Sequence, residues 1–213
     1  ELVKRLALYK LRAKVDLADL SNTHRVWAAW GDALPPAGGA TAFRDPRSEA
    51  IGWRLIALDG ASGLTANAGE ADYHAHRIAL GVPEGGKDYA FGDAYPHEAN
   101  MDRTAGVSFT KGCFVGQEVV ARMQHKTVVR KRATPLTATA ALASGAEVLA
   151  GDVAIGKVGS VAGHEAIAMV RLDRAIEALD KGTALTADGR TVTLSQRMLD
   201  AYRHQAAHRT EQA

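Results

Sequence analysis

Val153–Leu172 reads VAIGKVGSVAGHEAIAMVRL, two apolar runs of strand length, Val153 to Val161 and Ala166 to Leu172, rich in valine and isoleucine. Runs of the same kind occur at Val128 to Leu136, Glu147 to Leu149 and Thr183 to Leu194, with turns at Ser144-Gly145, Gly151-Asp152 and Asp188-Gly189. Short strands at such even spacing predict a small closed or nearly closed β unit. The expectation is a C-terminal β-barrel domain over residues 127–199, followed by a polar tail, helical or frayed, over 200–213.

Upstream of Lys126 the pattern is mixed. Leu2, Leu6 and Tyr9 stand at helical spacing, and Leu11, Ala13, Val15 and Leu17 then alternate with charged residues at the period of a half-buried strand. Val26 to Trp30 and Gly52 to Leu58 read as further strands, separated by a turn-rich stretch with Pro35-Pro36, Gly38-Gly39 and Asp45-Pro46. Glu70 to Leu80 reads as a helix that turns Ala71, Ala75, Ile78 and Ala79 to one side and stops at Gly81, with Pro83 just beyond. Residues 1–126 are therefore expected to form an α+β domain, with the boundary near Lys126.

Composition bounds the function. The 213 residues are 46% hydrophobic and 23% charged, and no apolar run approaches the ~18 residues of a membrane-spanning helix. One cysteine makes no internal disulfide and no four-thiolate metal site. The net charge of +2 is unevenly spread: between Arg103 and Arg132 seven basic residues face one acid, Glu118. Such a cluster favours a polyanionic partner, and a solvated basic face explains it equally well. The absence of a signal or transit segment points to a cytoplasmic protein with no membrane partner, and the missing initial methionine to a piece of a longer one.

The segment Lys111-Gly112-Cys113-Phe114-Val115-Gly116-Gln117-Glu118 carries the chemistry. Two glycines four apart around a lone cysteine, followed by a helix-compatible Gln117 to Met123, predict a tight loop feeding a helix N-terminus. Lys111 and that terminus would favour thiolate over thiol, which is how a cysteine becomes a nucleophile or a soft metal ligand. The other reading is a small buried hydrophobe, the commonest state of a solitary cysteine.

The octapeptide resembles the signature of the folate-binding YgfZ family, relatives of the glycine cleavage T-protein (aminomethyltransferase) that support iron–sulfur proteins and, in bacteria, tRNA modification. Leu8 to Val15, Asp45-Pro46-Arg47 with Gly52-Trp53-Arg54, and Gly106 to Phe109 extend the resemblance over almost the whole chain. It implies an α+β fold, a T-protein-like folate-binding domain whose opening part is missing here, followed by a small C-terminal β-barrel. The implied cofactor is tetrahydrofolate or a derivative, with no stable metal. The implied partners are folate and iron–sulfur client or assembly proteins, with tRNA served indirectly.

The resemblance also assigns residues. Where the T-protein pattern ends its helix with a pterin-binding glutamate, the matching Arg77-Ile78-Ala79-Leu80-Gly81 has Ala79, which accepts no hydrogen bond and argues against aminomethyl transfer. Tyr73 resembles an aromatic used against folate and reads equally as a core tyrosine; Glu98 is a substitute carboxylate or an exposed loop residue. Gly112, Gly116 and Gln117 would shape the ligand edge, and Cys113, with Lys111 beside it, would serve as reactive thiolate or transient cluster ligand. Glu118 reads as architectural, supporting the helix dipole, and Arg122 either binds ligand or pairs with Glu118 one turn earlier. Arg130, Lys131 and Arg132 would meet an anionic tail or RNA, or lie on a solvated strand edge.

The remaining constellations are weaker. His74 and His76 fall on different helix faces; His204 and His208 have chelating spacing but lack a peptidase glutamate between them. Trp27, Trp30 and Trp53 read as packing residues. The expected function is a folate-binding accessory factor for iron–sulfur cluster assembly or repair. The alternatives are a tetrahydrofolate-dependent aminomethyltransferase and an RNA-binding module.

Overall fold

The structure is a computed structural model describing residues 2–31, 39–61 and 63–211, so Pro35-Pro36 and Gly38 lie outside the described residues. The chain divides into two compact units. The smaller comprises residues 1–45 and 52–67, the larger 46–51 and 68–213.

The smaller unit holds helix α1 (Leu2–Lys10), which buries no side chain, and a three-stranded antiparallel sheet of β1 (His24–Ala29), β2 (Thr41–Arg44) and β3 (Trp53–Leu58) in the order β1-β3-β2. In β3 the alternation is visible: Leu55 and Ala57 are buried while Ile56 and Leu58 are exposed. Arg44 stacks over the Trp53 ring at 4.3 Å, and Arg54 pairs with the buried Asp45 at 2.9 Å. The strand expected from Leu11 to Leu17 is not formed. Leu11, Val15 and Leu17 are all exposed, because alternation describes a face whereas a strand also needs a ladder partner.

In the larger unit six strands close into an antiparallel barrel in the order β4-β7-β6-β5-β8-β9: β4 (Lys131–Ala138), β5 (Glu147–Ala150), β6 (Val153–Ala162), β7 (Glu165–Arg171), β8 (Leu185–Ala187) and β9 (Arg190–Leu194). Asp188 and Gly189, both at positive φ, form the two-residue turn of the β8–β9 hairpin. The interior packs Val148, Ile155, Val158, Ala168, Val170 and Val192 against Leu172, Ala175 and Ile176 of helix α4 (Leu172–Asp180) and Leu199 of helix α5 (Gln196–Glu211). The tail expected at 200–213 is thus mostly the body of α5.

Strand β7 is buried continuously from Ala166 to Val170, where a strand with one wet face would alternate. Ala166, Ala168 and Val170 fill the barrel, while Ile167 and Met169 pack outward with Ile78 of helix α2 (Glu70–Ala79). That outer layer is why the compact units do not divide at Lys126: residues 68–126 belong with the barrel.

An ion pair fastens this layer. Arg77, fully buried, donates to Asp88 at 2.8 Å, to the Val82 carbonyl and to the Ser160 hydroxyl. Asp88 in turn accepts from the backbone N–H of Glu84 and, at 2.8 Å, of Ser160. The β6–β7 register shifts between Val158 and Val161, so Ser160 has left the ladder and its amide is available to Asp88. A Cβ on Gly159 would stand 2.6 Å from the Asp88 Cα, so only glycine admits that approach. Helix α2 therefore buries Arg77 and Ile78 while Ala71 and Ala79, expected on its apolar side, are exposed.

A second arginine secures the loop before the barrel. Arg132, 4% exposed, grips Asp102 through two hydrogen bonds of 2.9 Å and donates to the His97 carbonyl. The backbone of Ala133 pairs with the Glu98 carbonyl and the Asn100 side chain, completing part of an edge that β9 covers only from Leu136 onward. Arg132 is thus an interior clamp, and the expectation of a surface residue facing an anionic ligand is corrected.

Candidate functional site

The loop at 111–116 and helix α3 (Gln117–His125) follow the signature residue by residue. Gly112 and Gly116 take positive φ of 85° and 86°, and nothing lies within 4 Å of a Cβ built on either, so backbone conformation and not space calls for glycine. Gln117 closes the loop from its far end: its side-chain oxygen accepts from the Phe114 N–H at 3.1 Å, and its own N–H donates to the Phe114 carbonyl at 3.2 Å. Lys111 places its ammonium 4.5 Å from the centre of the Phe114 ring. Cys113, held between these turns, is exposed. The packing reading of this thiol is therefore set aside on geometry.

Its surroundings are open and partly apolar. Val115 is 99% exposed, and Phe109 and Val119 are also solvent-facing. Sequence reading missed these three. Glu118 and Arg122 form their i,i+4 ion pair at 2.8 Å, with both side chains mostly exposed. The same two residues border an open groove of about 1110 Å³, also lined by Tyr95, Glu98, Lys126, Arg130 and Lys131. Among the described residues no hydrogen bond or ion pair engages the side chains of Lys126, Arg130 or Lys131, and Cys113 does not line the groove.

Glu98, which lines the groove, and Tyr73, which does not, are both engaged by neighbours. The Glu98 carboxylate accepts from the Tyr95 N–H at 3.0 Å and so caps its own turn. The Tyr73 hydroxyl accepts from Arg47 at 2.9 Å, and its ring tilts against His74. Ala79 is exposed on α2 and offers no polar atom. The residues expected to hold a pterin, Tyr73 and Glu98, are not brought together in this groove. Of the expected site residues, Glu98, Glu118 and Arg122 line this groove together.

Two further groups, buried His97 and Arg103, make contacts that the sequence did not signal. His97, 1% exposed, holds the Gln124 side-chain oxygen through Nε2 at 3.0 Å and packs against Phe109, tying the loop ahead of the barrel to α3; its Nδ1 has no partner. Arg103 approaches Met198, and burial together with the neighbouring Arg132 pushes its guanidinium pKa down. Among the described residues no helix is long and apolar enough to cross a membrane.

Comparison with known proteins places this geometry. Residues 130–197, which contain β4 to β9, match the family described as the CAF17 C-terminal β-barrel domain. The chain is 40% identical over 188 residues to the human iron–sulfur cluster assembly factor IBA57, mitochondrial, covering 79% of this chain and 52% of that protein. It is 42% identical over 143 residues to the mitochondrial IBA57 homolog of Mycosarcoma maydis, covering 64% and 35%. The chain thus spans about half the length of the human relative, and less of the fungal one. The expected cytoplasmic location is corrected by these names, which point to mitochondria. The chain thus carries a C-terminal barrel similar to that of CAF17 and is similar, over about half their length or less, to proteins named as iron–sulfur cluster assembly factors.

Proposed function

We propose that this protein is an accessory factor in iron–sulfur cluster assembly or repair, in which the Cys113 thiolate transiently ligates a cluster held jointly with a partner protein. The observation that carries the reading is the exposure of Cys113 in a loop held by Gly112, Gly116 and the paired Gln117–Phe114 hydrogen bonds. The relatives' names supply the class of substrate. A stable cluster needs more thiolates than one, so the other ligands come from the partner. Val115 and Val119 give that partner apolar surface to close over, which would shield the cluster from water. Lys111, two residues before Cys113 and held over Phe114, adds positive charge to the loop. A contribution to tRNA modification follows indirectly, through client enzymes that carry clusters.

Tetrahydrofolate receives no step in this reading, which rests on Cys113. Aminomethyl transfer has no observation in its favour, since Ala79 supplies no carboxylate. The test is anaerobic: the full-length protein is mixed with a cluster-loaded iron–sulfur carrier protein, and visible charge-transfer absorption of the complex is followed. Native protein is expected to form a complex with a shifted spectrum and the Cys113→Ser variant to leave the carrier's spectrum unchanged. Identical spectra from both proteins would remove Cys113 from the proposal.

A further inference from the structure

His204 and His208 stand one turn apart on α5, exposed, with Nε2 atoms 3.2 Å apart and ring centres 4.4 Å apart. Two imidazole nitrogens at that distance share either one proton or one cation. Zinc binds imidazole at about 2.0–2.1 Å, and two such bonds spanning 3.2 Å enclose an angle of about 100°, close to tetrahedral. We propose that His204 and His208 form a surface site for a divalent, imidazole-seeking transition-metal ion of the zinc class. Among the described residues no three His, Cys, Asp or Glu side chains gather at one point, so within them the site is a two-imidazole one and its ion exchanges readily.

The site has a structural consequence. Gln205, between the two histidines, donates from its side chain to the Thr127 carbonyl and accepts from the Val129 N–H, both at 3.3 Å. Arg209, immediately after His208, donates to the Gln124 carbonyl at 3.3 Å. An ion bridging residues 204 and 208 locks the helical turn from which these side chains hold residues 124–129. Metal bound on α5 is thereby felt at the C-terminal end of α3. The inference is independent of the role given to Cys113.

The experiment uses the untagged full chain carrying Cys113→Ser, which removes its one thiol. Zn2+ is titrated calorimetrically into this chain and into versions that also carry His204→Ala or His208→Ala. Either alanine is expected to weaken the strongest site at least tenfold, and His164→Ala to leave it unchanged. At free Zn2+ about 100 times the dissociation constant, amide exchange through local opening is expected to slow by up to about 100-fold over residues 205–209 and to slow measurably over 124–129. Equal affinity in the alanine variants overturns the site. Zinc binding with unchanged exchange at 124–129 overturns the clamp.

Discussion

Arg77–Asp88 and Arg122–Glu118 are both arginine–carboxylate pairs at 2.8 Å, yet one is wholly buried and the other mostly in water. The distance is the same; the environment decides what each does. Arg77 and Asp88 have left water, and every neighbouring group that replaces it, from the Val82 carbonyl to the Ser160 amide, must stay in place. Arg122 and Glu118 keep their hydration, so their attraction is screened and slight. The barrel with its outer layer carries the stability of the larger unit, while the Glu118–Arg122 pair on the exposed edge contributes little to it.

That contrast sets the order of expected effects. Asp88→Ala leaves the Arg77 guanidinium buried without its counter-charge and is expected to cost about 3–5 kcal/mol in denaturant unfolding, enough to threaten folding. Gly159→Ala forces a methyl against the Asp88 backbone and is expected to cost about 1–3 kcal/mol by the same measurement. Gly116→Ala meets no steric neighbour but pays for positive φ, so about 1–2 kcal/mol is expected, together with faster exchange in the first turn of α3. Glu118→Gln is expected to change stability by no more than about 0.5 kcal/mol. A loss from Glu118→Gln as large as that from Asp88→Ala would dissolve the distinction between the two regions.

The smallest effect is a pH dependence at the start of α4. The hydrogen bond from Arg171, helped by the α4 backbone, holds the Asp173 carboxyl below its usual range against the opposing pull of burial. A lowered folded-state pKa contributes stability above the ordinary carboxylate value of ~3.9 and loses it as pH falls through the folded value. The stability difference between native protein and Asp173→Asn should therefore be constant near neutrality and shrink below about pH 4, as read by thermal unfolding. A difference that shrank between pH 8 and 6 would assign the effect to another group.

How far the sequence could be read varied along the chain for physical reasons. The barrel was legible from Val153–Leu172 because paired strands leave local marks, valine-rich runs and glycine turns. Helix α4 carried a helical signal in Leu172, Ala175, Ile176 and Leu179, but the short strands on either side masked it. The strand expected at Leu11 failed because pairing is not a local property. The compact units do not divide at Lys126 because Ile167 and Met169 face outward to α2, and no pattern within β7 says which apolar face has a partner. At the site, the loop, the positive-φ glycines and the α3 start were all readable from Lys111 to Glu118. That Glu98 caps its own turn, and that Arg132 turns inward to Asp102 while Lys131 stays beside the groove, depended on tertiary partners 30 residues or more away or on turn geometry.

The most direct measurement replaces Cys113 by serine in the full-length gene of the source organism and reads the activity of its iron–sulfur enzymes, normalised to the abundance and thermal midpoint of the variant. Because Cys113 is exposed, abundance and midpoint should match the native protein while cluster-enzyme activity falls. Undiminished activity at equal abundance would contradict the role assigned to the thiol.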